Sequence, residues 1–272
     1  MKFLVNILVC WIPAKKYRGQ IRSFLLSKFY SWRLVIWCID ATNFINAKIL
    51  NKKRYDTIYS IGHNCSCAFN LKRFNLRNTS GVLDWLWHPT LSEVFDVLCN
   101  DFKDFLIKDD LVKIDKNPVQ TNHDILHDYY HNTRNNYQFL HDFPTGVSLD
   151  DCFDKVKEKY DRRITRFLND IHSDKDILLV YLILHETFLY TDSQLIQMCN
   201  SYCDHIGRKV DFLFIENTTS ADGGITTKQI QDNITKISLF VDTQKHINGP
   251  KKQMSAVFSK YVLKHFKYNL KR

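Results

Sequence analysis

Residues 176–184 read DILLVYLIL, and this unbroken apolar run decides the fold. A strand that is apolar at every position has both faces buried, as in a parallel sheet covered by helices. Two runs of similar character stand on either side of it in the chain, YDTIYSI at 55–61 and VDFLFIE at 210–216, and residues 237–242 are a fourth candidate. The sequence therefore predicts a sheet of mainly parallel strands.

Helical patterns separate these candidate strands, at 65–74, 90–105, 148–172 and 192–206. Thr90 and Ser148 stand where N-cap residues are preferred, and Gly207 is a typical helix stop. Strands that alternate with helices predict an α/β fold in which a mainly parallel sheet is flanked by helices. We expect the doubly wound arrangement of Rossmann-like and hydrolase-like folds.

Two stretches of the chain lack a sustained period. Residues 106–147 are rich in Asp, Asn, His and Tyr, so we expect loops with short helices there. Residues 217–234 are predicted to form a polar loop, and residues 253–266 a last, basic helix.

The composition is that of a folded globular protein. Of the 272 residues, 44% are apolar, which excludes a disordered or collagen-like chain. The eight cysteines are irregularly spaced and include no CxxC pair, so we expect reduced, intracellular thiols rather than a disulfide scaffold or a zinc ribbon.

The net charge of +9 is unevenly distributed. Residues 1–54 contain eleven Lys or Arg against one acid, Asp40, and residues 251–272 contain seven basic residues and no acid. The body between them holds 20 basic and 28 acidic residues and is therefore acidic. Because phosphate contacts need a basic face on the fold, nucleic acid is not an expected partner.

The chain divides by these patterns into a basic amphipathic N-terminal arm, 1–54, and an α/β domain, 55–272. The apolar residues 1–13 are too few to span a bilayer, which takes about 20, and most charges follow them, unlike in a signal peptide. The arm is predicted to lie in a membrane interface, the alternatives being an arm that packs on the body or a second copy, or a re-entrant or spanning element. We expect a cytoplasmic protein, peripheral on the inner face of the membrane in the first case.

The segment SIGHNCSCA, residues 60–68, carries the chemistry. Cys65 stands where a strand turns into a helix, and the N–H groups and dipole at that turn favour a thiolate and an oxyanion. Gly62, Asn64 and Ser66 surround it and are candidates for contact with substrate. The alternative for Cys65 is a buried structural role; Cys67 is expected to point into the helix packing.

These residues resemble a known family. The run YDTIYSIGHNCSCAFNLKRFNLRNTSGVLDWL at 55–86, HDFP at 141–144 and KYDRRITRFL at 159–168 are similar to elements of a bacterial family of unknown function called putative papain-like cysteine peptidases. The similarity covers about 55–185. Members of this family are often encoded beside genes for capsule and lipopolysaccharide synthesis, which implies a role in surface-polysaccharide biosynthesis.

The resemblance implies a thiol site in which Cys65 is the nucleophile and His141 is the base. Asp84 or Asp142 would orient the imidazole. Val82–Leu83 replaces the usual Pro-Phe before Asp84–Trp85, which changes packing without removing a functional group.

Two further residues are candidates for substrate contact. Trp85 is a candidate pocket wall. At most one of Arg162 and Arg163 can face a crevice, since consecutive helical residues point about 100° apart. We select Arg163 as a ligand for a phosphate or carboxylate, the alternative being a solvated helix face on which Arg162 pairs with Glu158.

The predicted reaction is hydrolysis or acyl transfer through an acyl-cysteine. No cofactor is expected, except that acyl transfer would use an acyl thioester such as acyl-CoA as the donor. The expected substrate is a small molecule, a glycan or an acyl compound. The alternative function is a catalytically inactive protein that binds a glycan or nucleotide, or serves assembly, at the membrane surface. No metal is expected, although His123, His127 and His131 would share a face of a helix, and His63 and His185 are alternative bases. The oligomeric state stays open.

Overall fold

The computed structural model describes residues 54–74, 76–87, 90–120, 126–183, 190–217 and 225–239, together with Ile21 and Lys267–Tyr268. The elements discussed below belong to one compact unit, Arg54–Arg272. The predictions for the N-terminal arm, for His123 and His185, and for the helix at 253–266 lie outside the described residues. None of the helices in these ranges is long and apolar enough to cross a membrane.

The described strands are β1 (Arg54–Tyr55), β2 (Thr57–Ser60), β3 (Leu86–Trp87), β4 (Leu111–Gln120), β5 (Leu126–Asn132), β6 (Tyr137–Pro144), β7 (Ile177–Ile183), β8 (Asp211–Asn217), β9 (Thr226–Gln231), β10 (Ile234–Leu239) and β11 (Lys267–Tyr268). The helices are α1 (Cys65–Arg73), α2 (Leu91–Cys99), α3 (Leu149–Ile171) and α4 (Asp192–Ile206), with a short 3-10 helix at Lys108–Asp110.

A mostly parallel sheet confirms the prediction made from the apolar runs. Its strand order is β2-β7-β8-β10-β9, in which the first four strands are parallel and β9 is an antiparallel edge. Every residue of β7 is buried. Its odd-numbered residues belong to the same core as α2, α3 and α4, and its even-numbered residues face α1. The fold is therefore mixed α/β with helices on both faces of this sheet.

The doubly wound arrangement is not confirmed. Among the described strands, β2, β7, β8 and β10 follow one another in one direction across the sheet. A doubly wound sheet reverses its strand order at a switch point, and ligands bind in the crevice at that point. Since the described strands of this sheet show no such reversal, their order alone does not place the site, which must be located from its side chains.

The prediction of loops for 106–147 is wrong. This stretch forms most of a second sheet, antiparallel, with the order β3-β6-β5-β4. Its apolar positions are few and mostly aromatic: Tyr130, Tyr137, Phe139 and Phe143 are buried, whereas many neighbours are polar. Large buried rings on one face are enough to hold an antiparallel sheet whose other face meets solvent.

Local signals set the helix limits. The predictions for α1, α3 and α4 are confirmed to within two residues, and Gly207 ends α4 in the left-handed conformation at φ 68°. Helix α2 begins at the predicted Thr90 cap, which forms a capping box with Glu93, but it ends at Cys99 rather than 105. Asp101, Phe102 and Asp104 follow it with positive φ, which is incompatible with a continuing helix.

The polar stretch at 217–234 contains an edge strand, β9, and the last parallel strand begins earlier than predicted, at Ile234. In both places the pairing with neighbouring strands, β8 and β10, overrides a weak local pattern.

Candidate active site

Cys65 is the first residue of α1, which follows the end of β2 at Ser60 after a short turn. The side-chain oxygen of Asn64 accepts a hydrogen bond of 2.9 Å from the Ser66 N–H and caps the helix, while Asn64 itself is extended at φ −157°. The Cys65 side chain is half-buried. The thiol is therefore placed at the positive end of the helix dipole, where a thiolate is favoured.

Gly62 fixes how closely this turn approaches the sheet. A Cβ atom added at Gly62 would lie 2.7 Å from Cys67 Cβ and 3.3 Å from the backbone N of Leu182. Only glycine fits between α1 and β7 at this point, so Gly62 has a packing role that does not depend on substrate.

The other described cysteines are unsuited to nucleophilic chemistry. Cys67 is buried, donates to the Val180 carbonyl at 3.4 Å, and has its thiol pKa raised to about 12 by burial. It points into the helix packing, as expected. Burial also raises the thiol pKa of Cys99, Cys152, Cys199 and Cys203.

His141 lies in an irregular part of β6. Phe143 pairs with Asp128 and Phe139 pairs with Tyr130, so three residues of β6 stand opposite one residue of β5. Bulges of this kind bend a strand, re-aim its side chains and occur frequently beside active sites. The HDFP element recognised in the sequence is therefore a place where strand geometry is interrupted.

The His141 imidazole is half-buried against the edge of Trp85, with ring centroids 6.4 Å apart. Burial lowers its pKa; the Asp142 charge opposes this shift and His127 adds to it. The ring is therefore neutral at neutral pH, as a base must be. Among the described residues its buried Nδ1 atom has no hydrogen-bond partner, and no hydrogen bond joins His141 to Cys65.

Asp142 is engaged by helix α3. Its carboxylate forms an ion pair with Lys159 and accepts a 2.9 Å hydrogen bond from the Tyr160 hydroxyl. Phe139 also packs on Tyr160, at 5.4 Å between ring centroids, and in a regular strand Asp142 would face away from that side. The irregularity of β6 thus turns Asp142 towards α3, where it fastens the helix to the strand.

Asp84 is held by its own loop. It is 1% exposed, pairs with Arg77 at 2.6 Å and accepts the Gly81 N–H at 2.8 Å. Burial raises its pKa, and the neighbouring cations Arg77, Arg163 and Arg166 and the Gly81 N–H act in the opposite direction. Neither Asp84 nor Asp142 forms a hydrogen bond with His141, so the orienting role of these carboxylates stays a prediction.

Arg162 and Arg163, which are consecutive on α3, differ in exposure, as the helix geometry requires. Arg162 is exposed and lies 3.6 Å from Glu158, whereas Arg163 is half-buried with its guanidinium 5.5 Å from the centre of the Tyr160 ring. The Arg77 guanidinium lies 5.7 Å from the centre of the Trp85 ring. Asp84, Trp85, His141, Asp142 and Arg163 thus belong to one connected cluster of side chains, which we call the α3 cluster.

Sequence reasoning missed Arg77, Lys159 and Tyr160 as members of this cluster. Lys159 and Tyr160 begin the KYDRR motif, which was a usable signal, but nothing in the sequence singles out Arg77. His63 is buried against Trp87, 6.0 Å between ring centres. His127 and His131 lie on strand β5, not on a helix, and the described residues contain no group of three or more potential metal ligands.

A family model matches residues 56–214, more than half of the chain, and is described as "Putative papain-like cysteine peptidase (DUF1796)". The chain belongs to this family. No curated protein and no solved structure matches it. The family region contains Cys65, His141 and the whole α3 cluster, so this papain-like peptidase family shares the part of the chain that holds both halves of the predicted thiol site.

Proposed function

We propose that this protein is a cysteine enzyme, a hydrolase or acyltransferase in which Cys65 is the nucleophile and His141 is the base. The observation that carries the proposal is the position of Cys65 as first residue of α1, a short turn beyond a buried parallel strand and within the papain-like family region. The helix dipole stabilises its thiolate, whereas burial disfavours the thiolate form of the five other described cysteines.

In the proposed reaction the neutral His141 imidazole takes the proton of the Cys65 thiol, and the thiolate attacks the acyl carbon. The leaving group departs with the proton from the imidazolium, which leaves an acyl-cysteine. Transfer of the thiol proton requires the two side chains to approach within about 3 Å, a contact that often tightens only when substrate is bound. Water or a sugar hydroxyl then accepts the acyl group and restores the thiol.

The N-terminus of α1 contributes to this step mainly through its dipole. The Ser66 N–H donates to the Asn64 side chain, and the Cys67 N–H donates to the Asn64 carbonyl at 3.4 Å. These two groups are occupied, so neither is a free oxyanion donor. We propose a surface polysaccharide as the acyl acceptor, or as the source of the hydrolysed group, and an acyl thioester as the donor in the transferase case.

A non-catalytic binding or assembly protein is the second candidate. The absence of a hydrogen bond between His141 and either Cys65 or a carboxylate favours it, because an assembled thiol triad would contain both contacts. In that case the α3 cluster would hold a glycan or nucleotide without chemistry at Cys65.

Residue-by-residue iodoacetamide labelling across pH, read by mass spectrometry, separates the two. We expect Cys65 to alkylate at neutral pH at least about tenfold faster than the half-buried Cys152, and His141→Ala to slow Cys65. His172→Ala, at an exposed position, is the control and should leave the rate unchanged. If Cys65 reacts no faster than Cys152, the nucleophile assignment fails and the binding protein takes its place.

A further inference from the structure

Helix α3 presents three cations at i, i+4 and i+7 along one side: Lys159, Arg163 and Arg166. Side chains at this spacing lie above one another on a helix. Two of the three have protein partners. Lys159 pairs with Asp142, and Arg166 donates to the Ser80 carbonyl at 2.6 Å.

Arg163, the middle cation, has no such partner in the part of the chain that the structure describes. Its Nη1 atom is buried and makes no hydrogen bond, and Arg163 forms no ion pair. A buried donor without an acceptor is costly, and more so when it carries charge, so native structures contain few of them. The guanidinium carbon nevertheless lies 5.5 Å from the centre of the Tyr160 ring, within the range of a cation–π contact.

The charges around Arg163 do not balance. Among the described residues, the α3 cluster with its neighbours contains four cations, Arg77, Lys159, Arg163 and Arg166, against two carboxylates, Asp84 and Asp142. Asp84 is already paired with Arg77, and Asp142 with Lys159. The surplus positive charge therefore lies with the two arginines of α3, and only Arg163 is half-buried, since Arg166 is exposed.

Two further buried atoms of the same cluster, Asp84 Oδ1 and His141 Nδ1, have no hydrogen-bond partner among the described residues. The His141 ring contacts Trp85, the residue after Asp84. Arg163 in turn lies near Asp84 and on Tyr160, whose hydroxyl binds Asp142 beside His141. The buried Nη1 atom of Arg163 and the buried Nδ1 atom of His141 are two places in one cluster for hydrogen bonds to a ligand.

We propose that Arg163 binds an oxyanion, a carboxylate or a phosphate group, carried by the molecule that this protein acts on. A guanidinium offers a planar pair of N–H donors that matches both groups, and its cation–π contact with Tyr160 helps to position it. That the molecule carrying this oxyanion is the substrate rests on the proposed function. The anion site itself does not depend on Cys65 chemistry.

Thermal unfolding with added anions tests the site directly. The probes are inorganic phosphate and succinate, titrated at constant ionic strength with sodium chloride so that general screening does not change. A ligand that binds only the folded state stabilises it by RT times the logarithm of one plus the ratio of free ligand concentration to Kd, so the melting temperature rises with ligand concentration. We expect at least one probe to raise it in wild type and in Arg162→Gln, the matched exposed control, and neither to do so in Arg163→Gln.

The unliganded proteins give a second readout. Since Arg163 has no protein acceptor among the described residues, Arg163→Gln without anion should melt at or above the wild-type temperature. Arg163→Lys keeps the charge but loses the paired donors, so it should bind the anion more weakly than wild type. If Arg163→Gln melts well below Arg162→Gln and no anion stabilises the wild type, the guanidinium serves an internal ion pair and the proposal is overturned.

The two probes distinguish the chemical sources, since stabilisation by phosphate alone indicates a phosphorylated ligand and by succinate alone a carboxylate. Cys65→Ser separates this inference from the proposed function. We expect the anion effect to persist in that variant. If anions stabilise the protein but Cys65 is unreactive, the anion site stands and the thiol-enzyme proposal is rejected. If Cys65 is reactive but no anion stabilises the protein, the thiol-enzyme proposal stands and the anion site is rejected.

Discussion

At the residue scale, Asp84 shows what a buried carboxylate does here. Its partners are Arg77 and the Gly81 N–H, both in the loop between α1 and β3. The Arg77 guanidinium also donates to the Thr79 carbonyl at 2.9 Å and to the Ser80 hydroxyl at 2.7 Å. The pair therefore ties one loop together and presents Trp85, the next residue, to His141.

Asp84→Asn is expected to destabilise the fold. Removing one partner of a buried ion pair leaves the other uncompensated, and the loss should be about 3 kcal/mol in urea unfolding. Asp161→Asn, which breaks the exposed pair with Lys157, is the control and should change the free energy of unfolding by less than about 1 kcal/mol. A stable Asp84→Asn protein in which Cys65 alkylates more slowly would instead assign Asp84 to the orientation of His141.

At the element scale, the N-terminus of α1 is the feature on which the thiol chemistry depends. Asn64 caps the helix through Ser66, and the Cys65 side chain lies between them in the sequence. The same arrangement of cap and helix occurs at α3, where the Ser148 hydroxyl accepts the Asp151 N–H at 3.2 Å, but there it carries no cysteine at the first position.

Asn64→Asp should preserve the helix and weaken the nucleophile. Aspartate caps as well as asparagine and suits the helix dipole, so the free energy of unfolding should change by less than about 0.5 kcal/mol. The added carboxylate disfavours a neighbouring thiolate, so iodoacetamide labelling of Cys65 at pH 7 should slow several-fold. Ser148→Asp is the matched cap change and should leave Cys65 unaffected; equal labelling rates in Asn64→Asp and wild type would show that Cys65 does not react as a thiolate at this turn.

The elements differ in how far the sequence predicts them, and the reason is the range of the deciding interactions. Helix α4 is predicted to the residue because its stop, Gly207, and its apolar spacing are local. Strands β4 to β6 are missed because their polar residues carry no alternation, and pairing between strands decides them. The site divides in the same way: Cys65 follows from a local turn, whereas the pairing of Asp84 with Arg77 depends on how a loop folds back.

At the scale of the whole described unit, a chain of aromatic contacts joins the two sheets. Tyr59 of β2 meets Phe167 of α3 at 4.9 Å between ring centres, and Phe167 meets Phe102 at 5.4 Å. Phe102 contacts Phe105 at 5.6 Å, and Phe105 reaches Phe139 of β6 at 6.4 Å. The parallel sheet and the antiparallel sheet, which carries His141, therefore share one core. Helix α1, which begins at Cys65, packs on the opposite face of the parallel sheet.

A shared core predicts that the two halves of the thiol site unfold together. Phe167→Ala removes the ring that connects Tyr59 to Phe102 and should cost about 3–5 kcal/mol. Hydrogen exchange resolved by residue should then show the slowest amides of β7 and of β6 losing the same free energy of protection, because both exchange by global opening.

Phe69→Ala serves as the control, since this phenylalanine of α1 is 46% exposed and its loss should change protection by less than about 0.5 kcal/mol. Loss of protection confined to β7 would mean that the antiparallel sheet folds by itself. His141 would then belong to a separately opening unit, and its approach to Cys65 would require the docking of two units rather than a side-chain adjustment within one core. Equal losses of protection in both sheets would instead show that Cys65 and His141 belong to one cooperatively folded unit. The approach of the thiol to the imidazole would then depend only on the β6 irregularity and on the turn before α1.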